Sequence, residues 1–126
     1  MTRIFKLKGF VRFQRKERIS DSALREGVGR IEAGSSVADL GGGLVKQRLA
    51  RRGQGKSGGY RTVIAIRRGE RAFFLYGFAK NERGNIDAEE LDEFRRLARG
   101  YLGLNLQQLE ALIAEGELVE LTDDQD

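Results

Sequence analysis

Tyr60-Arg61-Thr62-Val63-Ile64-Ala65-Ile66-Arg67, then Arg68-Gly69-Glu70, then Arg71-Ala72-Phe73-Phe74-Leu75-Tyr76-Gly77-Phe78-Ala79: this stretch decides the fold. β-Branched and aromatic side chains dominate both runs, and a short glycine-bearing connection separates them, so the segment is expected to be a β-hairpin turning at Gly69. The apolar character is almost unbroken through residues 63–66 and 73–76, where a strand with one wet face would alternate. Both faces of the hairpin must therefore be covered, which puts it at the centre of a sheet. Pairing about Gly69 sets Arg61 opposite about Gly77, so that Lys80 leaves the sheet beside Arg61.

Working outward, residues 44–50 are a further strand on which Lys46 and Arg48, two apart, share one face. Ser20 is the expected N-cap of a helix stapled by Ile19 and Leu24, with Leu24, Val28 and Ile31 buried and Gly34 as its stop. Residues 3–7 alternate as a short first strand, and the basic run 11–18 is expected to be helical. Beyond the hairpin, Asp87 caps a second helix, with Glu90 in the capping-box position and Ile86 stapled to Leu91. Its buried stripe is Leu91, Phe94, Leu97, Ala98, Tyr101 and Leu102. Asn105 with Gln108 repeats the pattern, and Leu109, Leu112 and Ile113 face inward until Gly116. The expected architecture is α+β: a small antiparallel twisted sheet packed against N-terminal and C-terminal helices. It is expected to form one domain over residues 1–121, with residues 122–126 an acidic, frayed tail.

The chain has 126 residues and no Pro, Cys, Trp or His. Without cysteine there is no disulfide framework and no thiolate metal site, and without histidine no imidazole zinc site and no Ser–His–Asp triad. Catalysis, if present, falls to Lys, Arg, Tyr, Asp or Glu, and no cofactor or metal is expected. No run approaches the ~18 apolar residues of a membrane span, so a cytoplasmic protein without membrane association is expected. The net charge of +4 hides a division: residues 1–86 carry 20 Lys and Arg against 7 Asp and Glu, whereas residues 87–126 carry 3 against 12. Lys46, Arg48, Arg51, Arg52, Lys56 and Arg61 follow one another without an intervening acid, which points to a polyanionic partner.

Gly53-Gln54-Gly55-Lys56-Ser57-Gly58-Gly59 imitates phosphate-binding loops but fits none of them. The Walker A pattern needs glycine at position 50, where Ala50 stands, and both that loop and the dinucleotide fingerprint must open a helix, whereas a strand follows here. What remains is a cationic, glycine-rich connection between two strands, whose uncovered N–H groups can approach a phosphate closely. Lys46, Arg48, Lys56, Arg61 and Lys80 are expected to line one concave region, with Asn81 and Arg83 at its rim.

The residues Leu44-Val45-Lys46-Gln47-Arg48-Leu49, Lys56-Ser57-Gly58-Gly59-Tyr60-Arg61 and Phe78-Ala79-Lys80-Asn81-Glu82-Arg83 resemble the RelE/HigB superfamily of bacterial toxins, most closely its HigB-like RelE branch. The resemblance implies a small α+β endoribonuclease, an mRNA interferase that cleaves mRNA at the ribosome to inhibit translation. It also implies neutralisation by a cognate antitoxin, expected to be of helix-turn-helix type. Position by position, Lys46 and Arg48 match sheet residues facing the RNA, Arg61 the arginine holding the scissile phosphate, and Lys80 the basic position after the last core strand. Where several members place a Tyr or His acid or base, this chain has Asn85, Ile86 and Asp87.

The chemistry suits the composition. Attack of a 2′-hydroxyl on the adjacent phosphate needs a base, charge stabilisation and an acid for the leaving oxygen. Arg61, Lys80 and Lys56 are the catalytic candidates, and Lys46, Arg48, Arg51, Arg52, Asn81 and Arg83 the RNA-binding ones. A lysine crowded by Arg48, Lys56 and Arg61 has its pKa lowered and can serve as base. Which lysine does so stays open, as do Tyr60 and Tyr76, both better suited to the core. The alternative is a non-catalytic RNA- or ribosome-binding module, or an inactive toxin relative.

Overall fold

The computed structural model describes residues 2–51 and 55–122. In chain order its elements are β1 (Arg3–Leu7), α1 (Lys8–Glu17), α2 (Asp21–Glu32), β2 (Ala38–Gly41), β3 (Leu44–Arg51), β4 (Gly55–Arg67), β5 (Arg71–Ala79), α3 (Ala88–Leu102), α4 (Leu106–Ala114) and β6 (Leu118–Glu120). The protein is α+β. Its one six-stranded sheet has the order β2-β3-β4-β5-β1-β6. Neighbours are antiparallel except β1, which runs parallel to β5.

The hairpin occupies the middle, as its apolar runs require. Ile64, Ile66, Ala72 and Phe74 join Phe10 of α1 and Leu24, Val28 and Ile31 of α2 in one core layer. Val63, Ala65, Phe73 and Leu75 face the other way, against Ala98 and Leu102 of α3 and Leu109 of α4. Fully burying a side chain such as Phe73 or Phe74 contributes roughly 1.5–3 kcal/mol, so these two layers carry much of the stability. The three capped helices start where their sequences place them. Ser20 accepts from Ala23 N, and Asp87 with Glu90 and Asn105 with Gln108 complete reciprocal capping boxes.

The register of the hairpin differs from the expected one. Val63 pairs with Tyr76 but Ile64 with Phe74, leaving Leu75 as an extra residue in β5. Arg61 therefore opposes Phe78 and not Gly77. The bulge reverses which face of the sheet the following residues take. Leu75 and Tyr76 both lie on the α3 side, Gly77 meets Phe10 and Phe13 of α1, and the next alternation returns Lys80 to the face that carries Arg61. An unbroken ladder would have turned Lys80 to the opposite face.

Three further features depart from the sequence expectation. β4 begins at Gly55, which pairs with Arg51, so residues 55–59 belong to a strand and not to a glycine-rich loop. β2 is held by pairing with β3, and the three-residue β6 by pairing with β1, and neither was expected from the sequence. Leu118 and Leu121, both buried, anchor β6 to the core. Beyond Thr122, the expected frayed tail lies outside the described residues.

Among the described residues two charged side chains are buried within this frame, Lys6 and Arg61, and Lys6 lies at its N-terminal end. The Lys6 amine on β1, 7 % exposed, donates to Gln14 Oε1 and Asp21 Oδ1, each at 2.9 Å. Gln14 donates in turn to Asp21 Oδ1 at 2.7 Å and to the Ile19 carbonyl at 2.9 Å. The group joins β1, α1 and the start of α2, and the bonds compensate for taking the ammonium out of water.

Candidate functional site

β2 stops pairing where Ala38 meets Lys46, and β3 continues beyond it with β4 on one side. At this end of the sheet lies a cleft of about 630 Å3. Lys46, Gln47 and Arg48 of β3, Arg61 of β4, and Lys80, Gly84 and Asn85 after β5 line it on one side, and Arg30 of α2 with residues 35–38 on the other. Five of these lining residues are cationic and none is acidic. Arg48 and Arg61 are directly opposite across the β3–β4 ladder, a like-charge pair that is unfavourable without an anion nearby.

Burial of Arg61 (6 % exposed) pushes its guanidinium pKa down, and Arg48 adds to the effect. The guanidinium remains charged at any physiological pH. Among the described lysines, it is Lys46 whose amine is pulled below its ordinary value. Desolvation contributes most, followed by repulsion from Arg61, Lys80 and Arg48. Its Nζ donates to Asn85 Oδ1 at 2.9 Å.

Lys80 is fixed through the backbone, its N–H donating to the Gly59 carbonyl at 3.0 Å. The chain then turns, with the N–H groups of Glu82 and Arg83 both donating to the Ala79 carbonyl. Arg83 locks the connection to α3. Its Nε donates to the Asn85 carbonyl at 3.0 Å, and its Nη1 to the Tyr76 hydroxyl at 3.1 Å and to Glu90 Oε2 at 3.0 Å. The Arg83 bond, with a second from the Asp87 N–H, holds the Glu90 carboxyl down at about 2.

Of the sequence-predicted site residues, Lys46, Arg48, Arg61 and Lys80 come together. Asn81 is exposed beside the cleft without lining it, and Arg83 is committed to Glu90. Arg52 and the side chains of Arg51 and Lys56 lie outside the described residues. Tyr60 faces α1, where its hydroxyl donates to Glu17 Oε1 at 3.0 Å, and Tyr76 packs against Phe94. Arg30, Gln47 and Asn85 line the cleft without having been predicted to do so. Gln47 shows period-2 spacing with Val45 and Leu49 on the core face, whereas Arg30 and Asn85 carry no local signal. Among the described residues no group of side chains is arranged to hold a metal, and no helix is long and apolar enough to cross a membrane.

A mixed six-stranded sheet between helices, ending in a basic cleft with no carboxylate among its described lining residues, defines a small α+β protein. Residues 2–121 match the family model described as the RelE toxin of the RelE / RelB toxin–antitoxin system. The chain belongs to that family and is a RelE-like toxin of a toxin–antitoxin system, a class that works with an antitoxin partner. Comparison with curated proteins finds no match.

Proposed function

We propose that this toxin is an endoribonuclease of the HigB-like branch that cleaves mRNA in the cytoplasm at the ribosome, and that a helix-turn-helix antitoxin encoded beside it restrains it. The observation that carries this reading is the convergence of Lys46, Arg48, Arg61 and Lys80 in one cleft with no carboxylate among its described lining residues. In this scheme Lys46, whose pKa is lowered, takes the proton of a 2′-hydroxyl. The 2′-oxygen attacks phosphorus, Arg61 holds the non-bridging oxygens, and the Lys80 ammonium protonates the departing 5′-oxygen. The products are a 2′,3′-cyclic phosphate and a 5′-hydroxyl. Lys56 is assigned to the charge developing on the phosphate. Arg48, Arg51, Arg52 and Asn81 are assigned to flanking RNA, and Arg83 to holding the segment that bears Asn85.

The test is substitution combined with mapping of RNA ends. Arg61→Ala and Lys80→Ala should each lower cleavage by about 100-fold or more, relieve growth arrest on expression and leave the protein folded. Full toxicity in both variants overturns the assignment. A second reading, a non-catalytic RNA- or ribosome-binding module, is favoured by the absence of Tyr, His, Asp and Glu among the described residues that line the cleft. Primer extension on translated mRNA separates the two: salt-dependent binding without new 5′ ends favours the module.

A further inference from the structure

We propose that Asn85 is a positioning residue for Lys46: its Oδ1, 2.9 Å from Nζ, anchors one N–H of the amine without supplying a counter-charge. This rests on the nuclease reading for the claim that Lys46 acts as a base. The geometry has two further supports. Asn85 Oδ1 also accepts the Ile86 N–H at 2.9 Å, which fixes the amide, and Arg83 Nε holds the Asn85 carbonyl at 3.0 Å. An amine tethered through one N–H can direct its lone pair into the cleft once deprotonated.

The charges around Lys46 agree with this role. Arg48 from β3, Arg61 from β4 and Lys80 at the end of β5 face it, and all three disfavour its protonated form. Three carboxylates of the adjoining segment are directed elsewhere. Glu82 reaches toward Lys16, Asp87 accepts from the Glu90 N–H, and Glu90 is paired with Arg83. A neutral acceptor therefore occupies a position from which a carboxylate would favour the charged amine. The same side chain could have been an aspartate without changing either hydrogen bond.

That substitution is the test. Asn85→Asp keeps an oxygen for both Lys46 Nζ and Ile86 N–H and changes only the charge at an exposed position. In the full chain, NMR titration of the lysine Cε resonances, assigned with Lys46→Arg, should move the Lys46 midpoint up by about one pH unit or more. The acid limb of the cleavage-rate profile should move by the same amount. Asn85→Ala, which removes the acceptor without adding charge, should not raise the midpoint, and it should reduce kcat more than it changes KM. An unmoved midpoint in Asn85→Asp, or an equal rise in Asn85→Ala, overturns the proposal. Because the titration needs no RNA, a shifted midpoint in a protein that never cleaves would remove the nuclease reading while leaving the hold of Asn85 on Lys46 in place.

Discussion

Leu75 has no partner across the β4–β5 ladder, and the half-turn of phase it inserts decides which side chains can meet. It sends Lys80 to the face of Arg61 and Gly77 to the face of α1, where a Cβ would stand 2.4 Å from the Phe13 ring. Gly77→Ala should therefore destabilise the protein by about 1–3 kcal/mol, read as a lower urea midpoint at unchanged slope. An unaltered midpoint would mean that α1 can move away from the sheet without cost. Asp21 offers a residue-scale test in pH. Burial pushes its carboxyl up, but the bonds from Gln14 and Lys6 outweigh it and hold the carboxyl below its ordinary value. A pKa depressed in the folded state stabilises above the unfolded value, about 4, and that contribution is lost as pH falls through the folded value. Acid unfolding of Asp21→Asn should accordingly depend less steeply on pH below about 4 than that of the parent.

At the scale of elements, the start of α3 fixes the segment that carries Lys80 and Asn85. Asp87 accepts from the Glu90 N–H at 2.8 Å, Glu90 accepts from the Asp87 N–H at 3.0 Å, and Arg83 grips Glu90 from the segment itself. Asp87→Ala should cost about 1 kcal/mol by thermal or urea unfolding, the usual loss for an N-cap. Glu90, held at about 2, contributes above its unfolded pKa and loses that contribution as pH falls toward 2, so the stability difference between Glu90→Gln and the parent should close over that range. These helix starts were legible in the sequence because capping is local: the cap, the residue three further on and the staple lie within a few positions. The Leu75 bulge and strands β2 and β6 were not, because each is defined by a partner strand. The same division holds in the site. Lys46, Arg48 and Arg61 follow from period-2 spacing on strands, whereas Asn85 is brought to Lys46 only by the fold of the connection after β5, 39 residues along the chain.

Across the whole molecule, the division of charge in the sequence becomes a division in space between a basic cleft and ion-paired helix surfaces. Five acids of the C-terminal third pair away from the cleft: Glu90 with Arg83, Asp92 with Arg95, Glu93 with Arg96, and Glu110 and Glu120 with Arg3. None of them lines the cleft, so the helices of α3 and α4 cover the sheet without screening its basic end. In the proposed RNA-binding role, the five cations of the cleft act on a polyanion by displacing its counterions. For a single strand each neutralised phosphate contributes a slope of about −0.7 in log K against log salt, so full engagement of the five cations gives a slope of about −3.5. Arg48→Gln should reduce the steepness by about 0.7 and weaken binding to every sequence alike, as expected for a side chain that meets phosphate and not base. Glu93→Gln, on the outer face of α3 and paired within its own helix, should leave the slope unaltered. Fluorescence anisotropy with a short single-stranded RNA across a salt series measures both. A slope insensitive to Arg48→Gln would place the RNA elsewhere on the protein.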